Sequence, residues 1–190
     1  MVRDGYSSSS RGFTLIEVVV SLGLLTVVSL GVAQLFAVST RANLVAKGRT
    51  STTALAEQKM EQLRSLTWGF DADGLGLPVS DTTTNLTVFP PTQDGTGLNP
   101  SPSNALETNT AGFFEYLDSN GSWVPSAETA VYVRRWAIRP LPTNPNNTLI
   151  LQVLVSPQAD ELVRQANASG PRKRLPGDAL LTNVKTRKAS

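Results

Sequence analysis

The 190-residue chain contains no cysteine and no histidine. Without cysteine it has no disulfide, no thiolate nucleophile and no cysteine-ligated metal. Without histidine it lacks imidazole acid–base chemistry and the commonest zinc ligand. Together these absences remove most hydrolytic triads and zinc hydrolases. The net charge of +2 is too small to imply a general polyanion-binding surface. Basic residues are missing altogether from positions 71–128, which carry eight acidic ones, whereas from Arg134 onward ten basic residues face three acidic ones. Such opposed charge can make head-to-tail contact faces or, more simply, a dipolar solvated surface. The mean hydropathy of -0.09 suggests an ordinary soluble domain, and that average conceals an uneven distribution.

Residues 13–38 hold 18 apolar residues among 26, and their only charge is Glu17. As a helix this stretch is roughly 39 Å long, enough to cross a hydrocarbon layer of about 30 Å. The apolar part of a secretory signal is about 7–15 residues and ends at a small-x-small site. This run is nearly twice as long and passes without a break into a polar helical segment, so the sequence predicts a retained membrane helix. Arg3 and Arg11 precede it while Arg41, Lys47 and Arg49 follow it, so counting basic residues does not orient it.

The start of the run reads Arg11-Gly12-Phe13-Thr14-Leu15-Ile16-Glu17. A carboxylate stands near the start of an apolar helix, where an unpaired charge costs on the order of 2.5–3.5 kcal/mol or more. The glycine before Phe13 has no side chain, so a protease can grip the backbone there. GFTLIE resembles the N-terminal cleavage and methylation motif of type IV prepilins, shared by pilins and type II secretion pseudopilins. The resemblance covers about the first 65 residues. It implies a leader at 1–12, cleavage between Gly12 and Phe13 by a membrane prepilin peptidase, and N-methylation of Phe13. Glu17 matches the family's glutamate, and its implied role is assembly: pairing with the amine of a neighbouring subunit. The competing reading is that Glu17 snorkels to the headgroups.

The resemblance further implies a single-pass protein of the bacterial inner membrane with a periplasmic or otherwise extracytoplasmic C-terminal domain. It would enter a cell-surface filament after assembly. Implied partners are prepilin peptidase, other pilins or pseudopilins, an inner-membrane assembly platform, and membrane lipid before assembly. Within the helix, Gly23, Ser29, Gly31, Ala33 and Ala37 offer small surfaces for close helix packing. Major pilins often carry a helix-breaking proline in this region, and here there is none. Many pilins close a C-terminal loop with a disulfide, which this chain cannot form. The segment ALAEQKMEQLRSL ahead of Trp68-Gly69 is similar to minor pilins of the pilus-modification type. A type II secretion pseudopilin is the alternative, and a membrane-anchored periplasmic enzyme or binding module is the alternative of another class. No catalytic residue, metal ligand or cofactor is nominated. No stacking aromatics interleave with the basic C-terminal residues, which argues against nucleic acid as a partner.

The rest of the chain reads as an α+β unit. Residues 39–67 continue the helix as an amphipathic half, with Leu44, Val45, Leu55, Ala56, Met60, Leu63 and Leu66 within an arc of about 160°. Trp68-Gly69 predicts its end, with glycine as cap. A small antiparallel β domain is expected over 68–157. Its strand runs at 129–141 and 148–155 should form one hairpin, and 113–117 with 122–125 a second. An edge strand is expected at 86–89. Residues 90–112 include 16 Gly, Pro, Ser, Thr or Asn among 23, predicting a surface-exposed or partly disordered loop. Residues 158–190 read as a basic, partly disordered tail with a short helical or strand segment at 180–184. Asp71-Ala72-Asp73-Gly74 resembles part of a calcium loop, but Gly69 and Ser80 would fall at ligand positions that need carboxylates.

Overall fold

The computed structural model describes residues 12–71, 75–166 and 173–187. The chain divides into two compact units, Met1–Leu44 and Val45–Ser190. Helix α1, Leu15–Ser65, contributes to both. Its length follows from composition, since no proline occurs before Pro78 and most of its first half is apolar. Several hydroxyls along the helix bond back to its own carbonyls: Thr26 donates to the Leu22 carbonyl (2.8 Å) and Thr40 to that of Phe36 (2.9 Å). This back-bonding lets polar residues sit on an apolar helix without orphaned donors.

In the second unit, the C-terminal half of α1 packs against antiparallel sheet through Thr52, Ala56, Lys59, Met60 and Leu63, all buried. Leu55 and Leu66 flank this contact, whereas Leu44 and Val45, expected on the same face, are exposed. The expected glycine cap is not one. Helix α1 stops at Ser65, and Gly69 lies within β1 (Trp68–Phe70), opposite Val79 of β2 (Pro78–Ser80).

The main sheet has the order β4-β3-β5-β6-β7. Its members are β3 (Phe114–Leu117), β4 (Trp123–Val124), β5 (Tyr132–Pro140), β6 (Thr148–Pro157) and β7 (Ala179–Thr186). The long hairpin β5–β6 runs from Tyr132↔Pro157 to Pro140↔Leu149, and β3–β4 forms the second hairpin. Both match the expected pairs. Alternation puts Arg134, Trp136 and Ile138 on one face of β5 and Val133, Arg135 and Ala137 on the other. Both sets are buried, because α1 covers the first face and α2 (Gln158–Ala166) meets Arg135 on the second.

Three expectations change. The stretch 86–89 is not a strand: Asn85 caps its own turn by accepting the Thr87 N–H at 2.9 Å. Pro90-Pro91 then supply no ladder donors, and only an isolated Asn85↔Thr92 bridge forms. The fifth strand is β7, drawn from the segment read as a tail; it pairs with β6 from Thr148↔Thr186 to Val155↔Ala179. Lys185 and Arg187 are engaged within the fold. Arg187 stacks 3.6 Å from the Trp68 ring centroid and donates Nη1 to the carbonyls of Gly69 (2.9 Å) and Val79 (3.0 Å), tying β7 to the β1–β2 ribbon. The loop at 90–112 is pinned by Leu98 and Ala105, both buried in the core. Ser101 reinforces it by donating its N–H to the Ile138 carbonyl at 2.9 Å. The calcium-like fragment and the leader fall largely outside the described residues, which exclude 72–74 and 1–11.

Candidate processing and assembly site

Gly12, Phe13 and Thr14 precede α1 in non-helical conformation, and Phe13 is 84% exposed. Thr14 is the N-cap. Its carbonyl accepts the Glu17 N–H at 3.1 Å, and its hydroxyl oxygen lies 3.4 Å from the same nitrogen. Thr-x-x-Glu is the sequence of a capping box, and a carboxylate in the first turn also faces the positive end of the helix dipole. Thr14 therefore caps the helix through the Glu17 N–H, a local start signal that the sequence reading missed although the four-residue pattern was there to be read. The Glu17 side chain is exposed, in the first turn.

From Phe13 to Val45 the described side chains are exposed, including every large apolar one. Gly23 and Gly31 have no neighbouring atom within 4 Å of where a Cβ would stand. Ser29, Ala33 and Ala37 lie on the same exposed helix. Among the described residues of this unit nothing covers the apolar surface, and the helix is long and apolar enough to cross a membrane.

In the second unit a buried charge cluster joins α1 to the sheet. Lys59 Nζ donates to Glu115 Oε1 (2.7 Å) and to the Leu86 carbonyl (2.6 Å), and lies 4.5 Å from the Trp136 ring centroid. Arg134 Nε donates to the same Glu115 oxygen at 2.6 Å, while its Nη1 reaches the Leu55 carbonyl and Gln58 Oε1. All three charged residues are at most 4% exposed. A second network links Arg135 to Glu161, and Arg164 to Glu161 and Asp178. It fastens α2 to β5 and to the approach to β7. The sequence signal for the first cluster was Lys59 itself, which takes the i+3 place in the apolar series Ala56, Lys59, Met60, Leu63. The partner Glu115 lay among acidic residues read as surface charge.

Burial lowers the Lys59 ammonium from its usual 10.5 to about 8; Glu115 opposes that shift and Arg134 adds to it. In the unfolded chain the group keeps the higher value. Between pH 8 and 10.5 the unfolded state therefore binds more protons, and stability from this residue rises with pH. The desolvation cost is fully present below pH 8 and is relieved above it. The expected result is that the melting temperature of the wild type gains on that of Lys59→Met as pH is raised from 8 to 10. A constant difference between the two would contradict the assignment.

Residues 7–33 match the family model of the prokaryotic N-terminal methylation motif. No curated protein and no solved structure is significantly similar to the chain. The chain carries a type IV prepilin-like signal, which supports a type IV pilin or pseudopilin. The signal implies processing by prepilin peptidase and assembly with other pilins, and with the apolar helix it suggests a membrane-anchored pilin. It points to a structural subunit and not to an enzyme.

Proposed function

We propose that this chain is a minor pilin-like structural subunit that is incorporated into, or primes, a type IV pilus. The observation that carries the reading is the six-residue motif at 12–17 set directly at the start of an uninterrupted apolar helix with uncovered side chains. Prepilin peptidase cuts between Gly12 and Phe13 and methylates the new amine. The protein then waits in the inner membrane as a single-pass subunit with its β domain on the far side from the leader. Extraction by the assembly platform exchanges lipid for the helices of other subunits around α1. In that bundle Glu17 takes the cationic amine of a neighbouring Phe13 as its partner. Gly23, Ser29, Gly31, Ala33 and Ala37 let neighbouring helices approach closely.

The pairing has a direct test. Glu17→Ala should be cleaved at the normal rate, because the peptide bond and its flanking glycine are intact. Its recovery in sheared filaments should fall at least about tenfold, since an uncompensated amine in a low-dielectric bundle costs several kcal/mol. Normal incorporation would rule out the pairing. A deletion strain that loses piliation but keeps protein secretion would favour the pilus over a type II secretion system, and the reverse phenotype would favour the pseudopilin reading.

A further inference from the structure

A cavity of about 400 Å³ opens beside the C-terminal half of α1 in the second unit, above the Lys59–Glu115–Arg134 cluster. Its volume falls within the range of roughly 300–1,000 Å³ typical of small-molecule sites. Two aromatic side chains among its walls are exposed although the core is otherwise well filled, Phe89 at 71% and Trp123 at 43%. Its floor is polar and incompletely satisfied. Gln62 Oε1 is buried and has no hydrogen-bond partner among the described residues. Arg134 commits Nε and Nη1, and Glu115 accepts through Oε1 alone. Guanidinium Nη2 and carboxylate Oε2 therefore remain without a hydrogen bond among the described residues.

We propose that this cavity binds a neutral saccharide, with the apolar face of a pyranose ring on Trp123 and Phe89 and its hydroxyls on Gln62, Glu115 and Arg134. The hydrogen-bond inventory selects this class. Gln62 Oε1, buried and unpaired, needs a donor; Glu115 Oε2 has room for one, and Arg134 Nη2 has room for an acceptor. A simple anion can serve only the last, and a purely apolar ligand serves none. A hydroxyl both donates and accepts, and adjacent hydroxyls on a ring can serve all three groups at once. Sugar rings also present a flat C–H surface, which exposed aromatic faces cover well. Lys59 and Arg134 share the single Glu115 carboxylate, which leaves one net positive charge beside the cavity, but an anion there would still leave Gln62 Oε1 without a donor. The site is independent of N-terminal processing and of the filament role.

The test uses the full chain in a zwitterionic detergent without sugar headgroups, probed by saturation-transfer NMR. Methyl glucoside, methyl galactoside, methyl mannoside and methyl N-acetylglucosaminide are offered singly at about 10 mM, a concentration that detects weak sites. At least one should receive saturation on the protons of a single ring face. Trp123→Ala, which removes an exposed side chain from the short edge strand, should weaken that signal at least tenfold with an unchanged melting temperature. Gln62→Leu should weaken it as well and leaves both aromatics in place. Absence of transfer to all four glycosides would overturn the proposal, as would equal transfer in Trp123→Ala. Binding of acetate with no glycoside bound would overturn it in favour of an anion site.

Discussion

Glu115→Gln should lower the unfolding free energy by about 3–5 kcal/mol, the cost of leaving buried charge uncompensated. Lys59→Met should cost distinctly less. The difference is one of stoichiometry, because two cations share a single carboxylate oxygen, at 2.7 Å from Lys59 and 2.6 Å from Arg134. Removing the carboxylate leaves an ammonium and a guanidinium side by side, each desolvated and each repelling the other. Removing the lysine leaves a one-to-one pair between Glu115 and Arg134, with one orphaned acceptor at the Leu86 carbonyl. That orphan costs about 1–3 kcal/mol, partly offset by the methionine filling the volume against Trp136. Urea unfolding followed by circular dichroism on the full chain in detergent gives both numbers. Equal costs, or a larger one for Lys59→Met, would contradict this account of the cluster.

Gly12→Val should abolish cleavage while leaving the folded domain untouched. In this structure a Cβ at Gly12 would meet nothing within 4 Å, and the residue is not held at positive φ. Among the described residues nothing demands glycine at position 12. Contrast Gly95, where an added Cβ would stand 2.1 Å from the Asn85 Cα, and Gly97, at a φ of +49° and 2.6 Å from the Asp81 carbonyl oxygen. Those two are glycine for reasons of packing and backbone. For Gly12 the proposed processing supplies a reason instead, the shape of a protease subsite. Precursor should accumulate in the membrane fraction with the wild-type melting temperature. Normal maturation of Gly12→Val would remove the basis for placing the cut there.

The parts of this protein that could be read from sequence are those written in local pattern. The long helix followed from an apolar run without proline, and the β5–β6 hairpin from two β-branched stretches around Pro142-Thr143-Asn144-Pro145. The processing motif needed only six adjacent residues. What escaped was non-local. Strand β7 was legible only as a short helical or strand segment at 180–184, because its apolar alternation is interrupted by polar residues and surrounded by basic ones. Only the 8-residue match to β6 reveals it, and only the stacking of Arg187 on Trp68 shows why its charge is tolerated. The loop at 90–112 has the composition of disorder, yet Leu98 and Ala105 suffice to anchor it. The ion cluster joins positions 59, 115 and 134, a separation at which pattern carries no information about contact. Gly69 was misassigned because glycine near a helix end is usually a cap, and here a strand starts three residues after the helix stops.

The most direct measurement is the intact mass and N-terminal peptide of the chain after co-expression with a prepilin peptidase. The expected species lacks residues 1–12 and begins with N-methylated Phe13. A chain that keeps its leader, or one cut elsewhere, would contradict the assignment of this protein as a processed pilin-like subunit.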